Sequence, residues 1–157
     1  MPVSNLIRYF IRIIVVGCVL SCSQKEAYYK FKPISNHQWS KGEEVVFIID
    51  SLNGDTSGIF SLSVEVVHNI TYPYKNLSLS IEHVANDILL LNDTIKYVLI
   101  DNNRRWIGSG NGAMRQITLP YMKPIQIDPA LRNKIILRHA MQDLYLIGIE
   151  KVGLRVD

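Results

Sequence analysis

The side chains best equipped for chemistry are two cysteines, Cys18 and Cys22, and four histidines, His37, His68, His83 and His139. The histidines lie far apart, with no His-Glu-x-x-His or His-x-His pair, so a metal site would have to be assembled by the fold from distant segments. Gly108-Ser109-Gly110-Asn111-Gly112 is glycine-rich in the manner of phosphate loops. Such loops precede a helix whose N-terminus meets the phosphate, whereas Met114 to Leu119 reads as a strand, and no Gly-Lys-Ser/Thr is present. Ser109 has no Gly-x-Ser-x-Gly elbow around it, and no acidic pair marks a glycosidase cleft. The expectation is a protein that is not an enzyme, with no cofactor and no metal.

Two clusters are suited to recognition instead. Tyr72-Pro73-Tyr74 sets two aromatics on a bend, because proline fixes φ and avoids central strands. Arg104-Arg105-Trp106 joins cations to a large ring, the makings of a cation–π surface. Tyr72, Tyr74, Arg105 and Trp106 are therefore the candidate partner surface, for protein or for sugar. Each has a plainer reading as packing: the tyrosines in a strand connection, the tryptophan in the core, and the arginines guarding an edge.

Cys22 directly follows a leader. Arg8 and Arg12 precede the apolar run Ile13 to Leu20, which ends at Ser21-Cys22. A charged start, a short apolar middle and a small-residue exit make a secretory signal. The run is well short of the roughly 20 residues that span a bilayer. Val19-Leu20-Ser21-Cys22 resembles a bacterial lipobox, in which the cysteine thiol receives a diacylglycerol and cleavage occurs just before it. Acyl chains anchor through about 0.8 kcal/mol per buried methylene, and stable anchoring needs more than one chain. The expected organisation is a signal peptide at 1–21, lipidated Cys22 with a tether to residue 30, and a domain over 31–157. Ser23, where inner-membrane lipoproteins usually carry aspartate, favours the outer membrane and a periplasm-facing domain.

Loss of residues 1–21 from the 157 leaves 136, enough for a single domain. It also removes two arginines, leaving 15 basic residues against 14 acidic ones. No basic stripe remains, so nucleic acid is not an expected partner. Cys18 would leave with the leader and Cys22 would be acylated, so the mature fold must stand without a disulfide.

The organisation after residue 31 is a series of short strands. Phe31 to Ser40 reads as an extended entry carrying Phe31 and Trp39, and Glu44 to Asp50 as a β-branched strand before an Asn53-Gly54-Asp55 loop. From Ile59 to Val67, Phe60, Leu62, Val64 and Val66 alternate with Ser61, Ser63 and Glu65, predicting one buried and one wet face. Leu77 to Asn92 fits both periods. The serines and the neighbouring strands favour a strand over 77–84, with a turn at Asn86-Asp87. Further strands are expected over 93–100, 114–121, 134–139, 144–149 and 152–156, with Pro124 and Pro129 separating two of them. The sum is all-β: an antiparallel β-sandwich, immunoglobulin-like or jelly-roll-like, of about eight strands.

Four islands of this sequence resemble the gliding-motility lipoprotein family GldH of Bacteroidetes. They are Tyr29 to Trp39, Asn69 to Leu77 around Tyr-Pro-Tyr-Lys-Asn-Leu, Arg105-Trp106-Ile107-Gly108-Ser109-Gly110, and His139-Ala140-Met141 through Leu146 to Val156. The lipobox sits where that family has it; Asn103 and Gln142 depart from its pattern. The resemblance implies a non-catalytic component of the gliding or type IX secretion apparatus, with other motility or secretion lipoproteins or envelope proteins as partners. The alternative is a glycan-binding envelope module, which would display several coplanar exposed rings. Buried rings beside an apolar patch would instead favour protein contacts.

Overall fold

The computed structural model describes residues 26–50, 52 and 57–157. The signal peptide, Cys22 and residues 23–25 of the tether lie outside the described residues, as does the loop at 53–55. What is described is all-β, with ten strands and one 3-10 turn.

In chain order the strands are β1 (Tyr28–Pro33), β2 (Gln38–Ser40), β3 (Val45–Ile49), β4 (Gly58–Asn69), β5 (Asn76–Ala85), β6 (Ile88–Val98), β7 (Met114–Ile127), β8 (Asn133–His139), β9 (Tyr145–Ile147) and β10 (Ile149–Val156). The 3-10 turn is Ser35–His37. One four-stranded sheet has the order β1-β10-β4-β7, the other β3-β8-β5-β6, and β2 pairs with β9 in a short ribbon. All pairings are antiparallel.

The core between the sheets follows from the alternation. Val64 and Val66 of β4, with Val152, Leu154 and Val156 of β10, face Phe47, Leu79, Ile81, Ile135 and Leu137 of the second sheet, all fully buried. Along β5 every odd residue from Leu77 to Ala85 is buried and every even one half-exposed. That settles the ambiguous stretch: a period of two wins because one face lies on a core.

The chain then turns at Asn86 (φ 47) and Asp87 (φ 63), the left-handed pair that tight hairpins require. Strand β6 starts at once at Ile88, so residues 88–92 extend the strand expected from 93.

Three expectations need correction. Tyr28–Lys30, placed in the tether, belong to β1, where Tyr28 pairs with Val156 and Tyr29 with Arg155. Strand β7 continues through Pro124 instead of ending before it. It can do so because β7 is an edge strand, and the register breaks there: Ile125 pairs with Phe60 and Tyr121 with Leu62, leaving Met122–Pro124 opposite Ser61.

The third concerns Glu65, which was expected on a wet face and is only 1% exposed. Phe31 crosses Gly153 beside it, in space that a Cβ would fill, since a methyl on Gly153 would stand 2.7 Å from the Phe31 ring. Thr118 Oγ1 donates to the Glu65 carboxylate at 2.9 Å and Gln116 Nε2 at 3.2 Å. A buried carboxylate needs such donors.

The connections give the sandwich two distinct ends. The end of β3, the start of β4, the Asn86-Asp87 hairpin, residues 128–132 and the start of β1 share one end, called here the entry end. Residues 70–75, 99–113 and 140–148 share the other with the 3-10 turn and the β2-β9 ribbon; this is the far end.

Candidate functional site

The far end gathers three of the four sequence islands and all four candidate residues. Its plug is the ribbon: Trp39 pairs with Leu146, and both are fully buried. Trp39 Nε1–H donates to the Glu43 carbonyl at 3.1 Å, and its ring meets His139 edge-on at 5.6 Å.

The Tyr-Pro-Tyr bend is tied down from both sides. Asn69 Oδ1 accepts the Thr71 N–H at 2.8 Å and the Thr71 hydroxyl at 2.6 Å, a side-chain turn that nucleates the bend. The Asn69 N–H donates to the Gly148 carbonyl at 2.8 Å, and the Gly148 N–H to the His37 carbonyl at 2.9 Å. Gly148 has φ +84°, and a Cβ there would lie 2.6 Å from the Tyr72 nitrogen, so glycine is required at this crossing. Glu150 joins the same knot, accepting from Asn69 Nδ2 and meeting His37 Nδ1.

Tyr72 therefore points inward. It is 2% exposed, and its hydroxyl donates to the Asn76 carbonyl at 2.7 Å. Burial pushes its pKa well above the usual phenol range. As a surface residue Tyr72 is a correction: it supports the bend from behind.

Its ring stands 5.9 Å from Tyr74 at 78°, 6.3 Å from Trp106 at 61°, and 5.5 Å from His68. Trp106 is half-buried and packed on the core, 4.6 Å from His68. The residues bridging Ile100 and Trp106 hold it there, with the Ile107 N–H on the Leu99 carbonyl at 2.8 Å.

Arg105 is exposed, but its guanidinium lies on Asp101, with both Nε and Nη2 at 3.0 Å from Oδ2. Asp101 Oδ1 also accepts the Arg105 and Asn103 N–H groups, and these bonds hold its carboxyl below the usual range, the Arg105 N–H most of all. The expected stack of Arg105 on Trp106 is thus replaced by an ion pair that shapes the loop. The cation–π contacts found among the described residues are Lys30 on Tyr28, Lys32 on Phe47 and Lys151 on Phe31.

Tyr74 is the candidate that opens onto a recess. A groove of about 410 Å³ runs beside it, lined also by Asn76, Ser78, Lys96, Met141, Gln142 and Asp143. The Tyr74 hydroxyl is hydrogen-bonded to Asp143, which raises its pKa. The groove offers amide, hydroxyl, ammonium and carboxylate groups, suited to recognition of a polar chain.

Two histidines of this end are buried with nitrogens left without a partner. His68 Nδ1–H donates to the Asn69 carbonyl at 3.1 Å, while Nε2 has no partner. Neither nitrogen of His139 is hydrogen-bonded; the Trp39 backbone lies close enough to favour the charged ring slightly without forming a bond of ordinary geometry. Desolvation lowers both pKa values. Among the described residues no group of three or more His, Cys, Asp or Glu is gathered as a metal cage would require.

What the sequence reasoning missed is an apolar rim around this end. Ile70, Ile107, Met114, Leu144, Tyr145 and Ile147 are exposed. They lie on segments that meet at this end: Met114 pairs with Asn69, whose neighbour is Ile70, and the Asn69 N–H donates to the carbonyl of Gly148, the residue after Ile147. The alternation of exposed Tyr145 and Ile147 about buried Leu146 is readable in the sequence once that stretch is known to be a ribbon. The rings beneath the rim are tilted or edge-to-face, not a flat exposed platform, so the geometry favours protein contacts over sugar stacking.

A family profile described as GldH lipoprotein matches residues 26–156. The gliding motility lipoprotein GldH homolog of Christiangramia forsetii is 28% identical, over 94% of this chain and 93% of its own. The gliding motility lipoprotein GldH of Flavobacterium johnsoniae is 23% identical, over 92% of this chain and 94% of its own. Among solved structures, dimeric latent PorU from Porphyromonas gingivalis overlaps 86% of this chain and 13% of its own, at a TM-score of 0.31 and 11% identity. A likeness that loose identifies neither ancestry nor role.

Proposed function

Because this chain belongs to the GldH lipoprotein family, we propose that it is a non-catalytic, lipid-anchored component of the gliding motility or type IX secretion-associated machinery that works through protein–protein contacts. The lipid is carried on Cys22, residues 23–27 form the tether, and the domain faces the periplasm from the outer membrane. The contact surface is the far end. Tyr74, Arg105 and the apolar rim make the contact, with Tyr72 and Trp106 as the packed floor beneath them.

The observation that carries this reading is that exposed Ile70, Tyr145 and Ile147 share one end with a packed aromatic floor. Exposed apolar residues gathered over an ordered base are what protein interfaces use. The partners in this reading are other motility or secretion lipoproteins or envelope proteins; the relatives' names support the motility part of it.

The test is recovery of the tagged, gently solubilised protein beside Cys22→Ala and Tyr74→Ala/Tyr145→Ala versions, with the bound proteins identified by mass spectrometry. Recovery of motility or secretion lipoproteins that falls in both variants supports the anchor and the surface. Unchanged recovery in a folded Tyr74→Ala/Tyr145→Ala variant refutes the surface.

A further inference from the structure

The entry end carries an exposed apolar feature of its own. At the β5-β6 hairpin, Ile88, Leu89 and Leu90 are 64%, 54% and 57% exposed, three consecutive aliphatics at the hairpin end of β6. Ile59, at the start of β4 on the same end, is 76% exposed. Exposed aliphatic runs of this kind are ordinarily avoided on a solvated surface.

The hairpin and the chain entry share this end by topology. Ala85 pairs with both Ile88 and Asn133, residues 128–132 lead from β7 into Asn133, and Gly58 pairs with Ile127. Tyr28 enters β1 against Val156, which pairs with Leu62, four residues along β4 from Gly58. The two features sit at opposite edges of the end, since β1 lies over β3 while β6 lies over β7, where Tyr121 donates to Asp93. Six residue steps separate Cys22 from Tyr28. Fully extended they reach at most ~20 Å, so a lipid on Cys22 holds this end, not the far one, against the bilayer.

We propose that the Ile88-Leu89-Leu90 tip is a second membrane contact, inserted into the interfacial region of the bilayer that carries the anchor. It rests on the lipidation of Cys22 read above. Two contacts at opposite edges of one end fix the domain's tilt and aim the far end away from the membrane; a single flexible tether fixes neither.

The occupant is a lipid surface for two reasons besides reach. The local charges are mixed: Lys134 is paired with Asp87, whose carboxyl also feels Arg132, and the Arg132 backbone N–H donates to the Asn86 side chain. The contact is therefore apolar and insensitive to salt. A second copy pairing along the β6 edge is disfavoured by the bulge there. Val84 pairs with Leu89 and His83 with Leu91, leaving Leu90 unpaired, which breaks the flat edge such pairing uses.

The test uses the full, matured lipoprotein reconstituted in phosphatidylcholine/phosphatidylethanolamine vesicles. With Cys18 removed and Cys22 acylated, Leu89→Cys supplies one free thiol for an environment-sensitive fluorophore, and Tyr145→Cys supplies a control at the far end. The expected result is blue-shifted emission at 89, quenched several-fold more strongly by spin-labelled lipid than at 145, unchanged by salt and lost when Ile88 and Leu90 are replaced by serine. Water-like emission at 89 in protein that floats with the vesicles overturns the tip contact and leaves the anchor standing. Failure to float overturns the anchor and the tip contact together. A blue shift without lipid that grows with protein concentration overturns the proposal in favour of self-association.

Discussion

At the entry end the buried histidine is satisfied: His83 Nε2–H donates to Asn133 Oδ1 at 3.0 Å. Asn133 in turn donates to the carbonyls of Asp128 at 2.7 Å and Leu131 at 2.9 Å. One side-chain pair thereby fixes the loop between β7 and β8. At the far end His68 and His139 are as deeply buried, 1% and 3% exposed, yet three of their four nitrogens lack partners. Hydrogen bonds at that end tie the neighbouring bend through Asn69, and the histidines themselves sit among rings beside a close backbone crossing at Gly148. Hydrogen-bonded loops and unsatisfied ring packing are different ways to hold an end. The second leaves buried polar groups that cost about 1–3 kcal/mol each, and it tends to be kept where a surface has another task.

The comparison can be broken most severely at the ribbon. Trp39→Ala removes the fully buried plug of the far end and should destabilise the domain by about 3–5 kcal/mol in urea unfolding. Asn133→Ala is the matching break at the entry end. It orphans His83 and two loop carbonyls, with an expected loss of about 2–3 kcal/mol, and hydrogen exchange should rise first across 128–132.

Acid sharpens the contrast. His68 and His139 have folded pKa values below the ordinary 6.5, so the unfolded chain takes up protons that the fold refuses. Their contribution is complete above about pH 6.5 and is lost as pH falls below it, toward the depressed folded values. From pH 7 to 5 stability should therefore fall, with the urea midpoint moving down at each step. Asp87, Asp93 and Asp101, whose carboxyls are held below 3.8, lose their contribution only under more acidic conditions, so the window isolates the histidines.

His139→Phe should flatten that slope and leave stability at pH 7 unchanged or higher, because it replaces two orphaned nitrogens with a ring of similar shape. The smallest effect is expected of Arg105→Ala. It breaks an exposed pair with Asp101 and should cost under about 0.5 kcal/mol, though the loop around Trp106 would loosen in amide exchange.

Much of this architecture was legible in the sequence because a sandwich strand announces itself by period two. The alternation from Leu77 to Ala85 and the Asn86-Asp87 turn read through directly. So did the family, from islands that the fold brings together at one end. What stayed hidden depended on partners distant in sequence. Glu65 reads as a wet residue until Phe31 crosses Gly153 beside it. Pro124 reads as a strand end until β7 is known to be an edge. Tyr72 and Tyr74 are equivalent in a Tyr-Pro-Tyr bend, and only the tie between Asn69 and Gly148 decides which ring turns inward.

The central claim is that the two ends face different things, a bilayer at the entry end and protein partners at the far end. It is tested most directly by a photo-crosslinking side chain placed in the living cell at Tyr145 or at Leu89, with the adducts identified by mass spectrometry. The account predicts motility or secretion envelope proteins joined at 145 and none at 89. Protein adducts at 89 with none at 145 would contradict it.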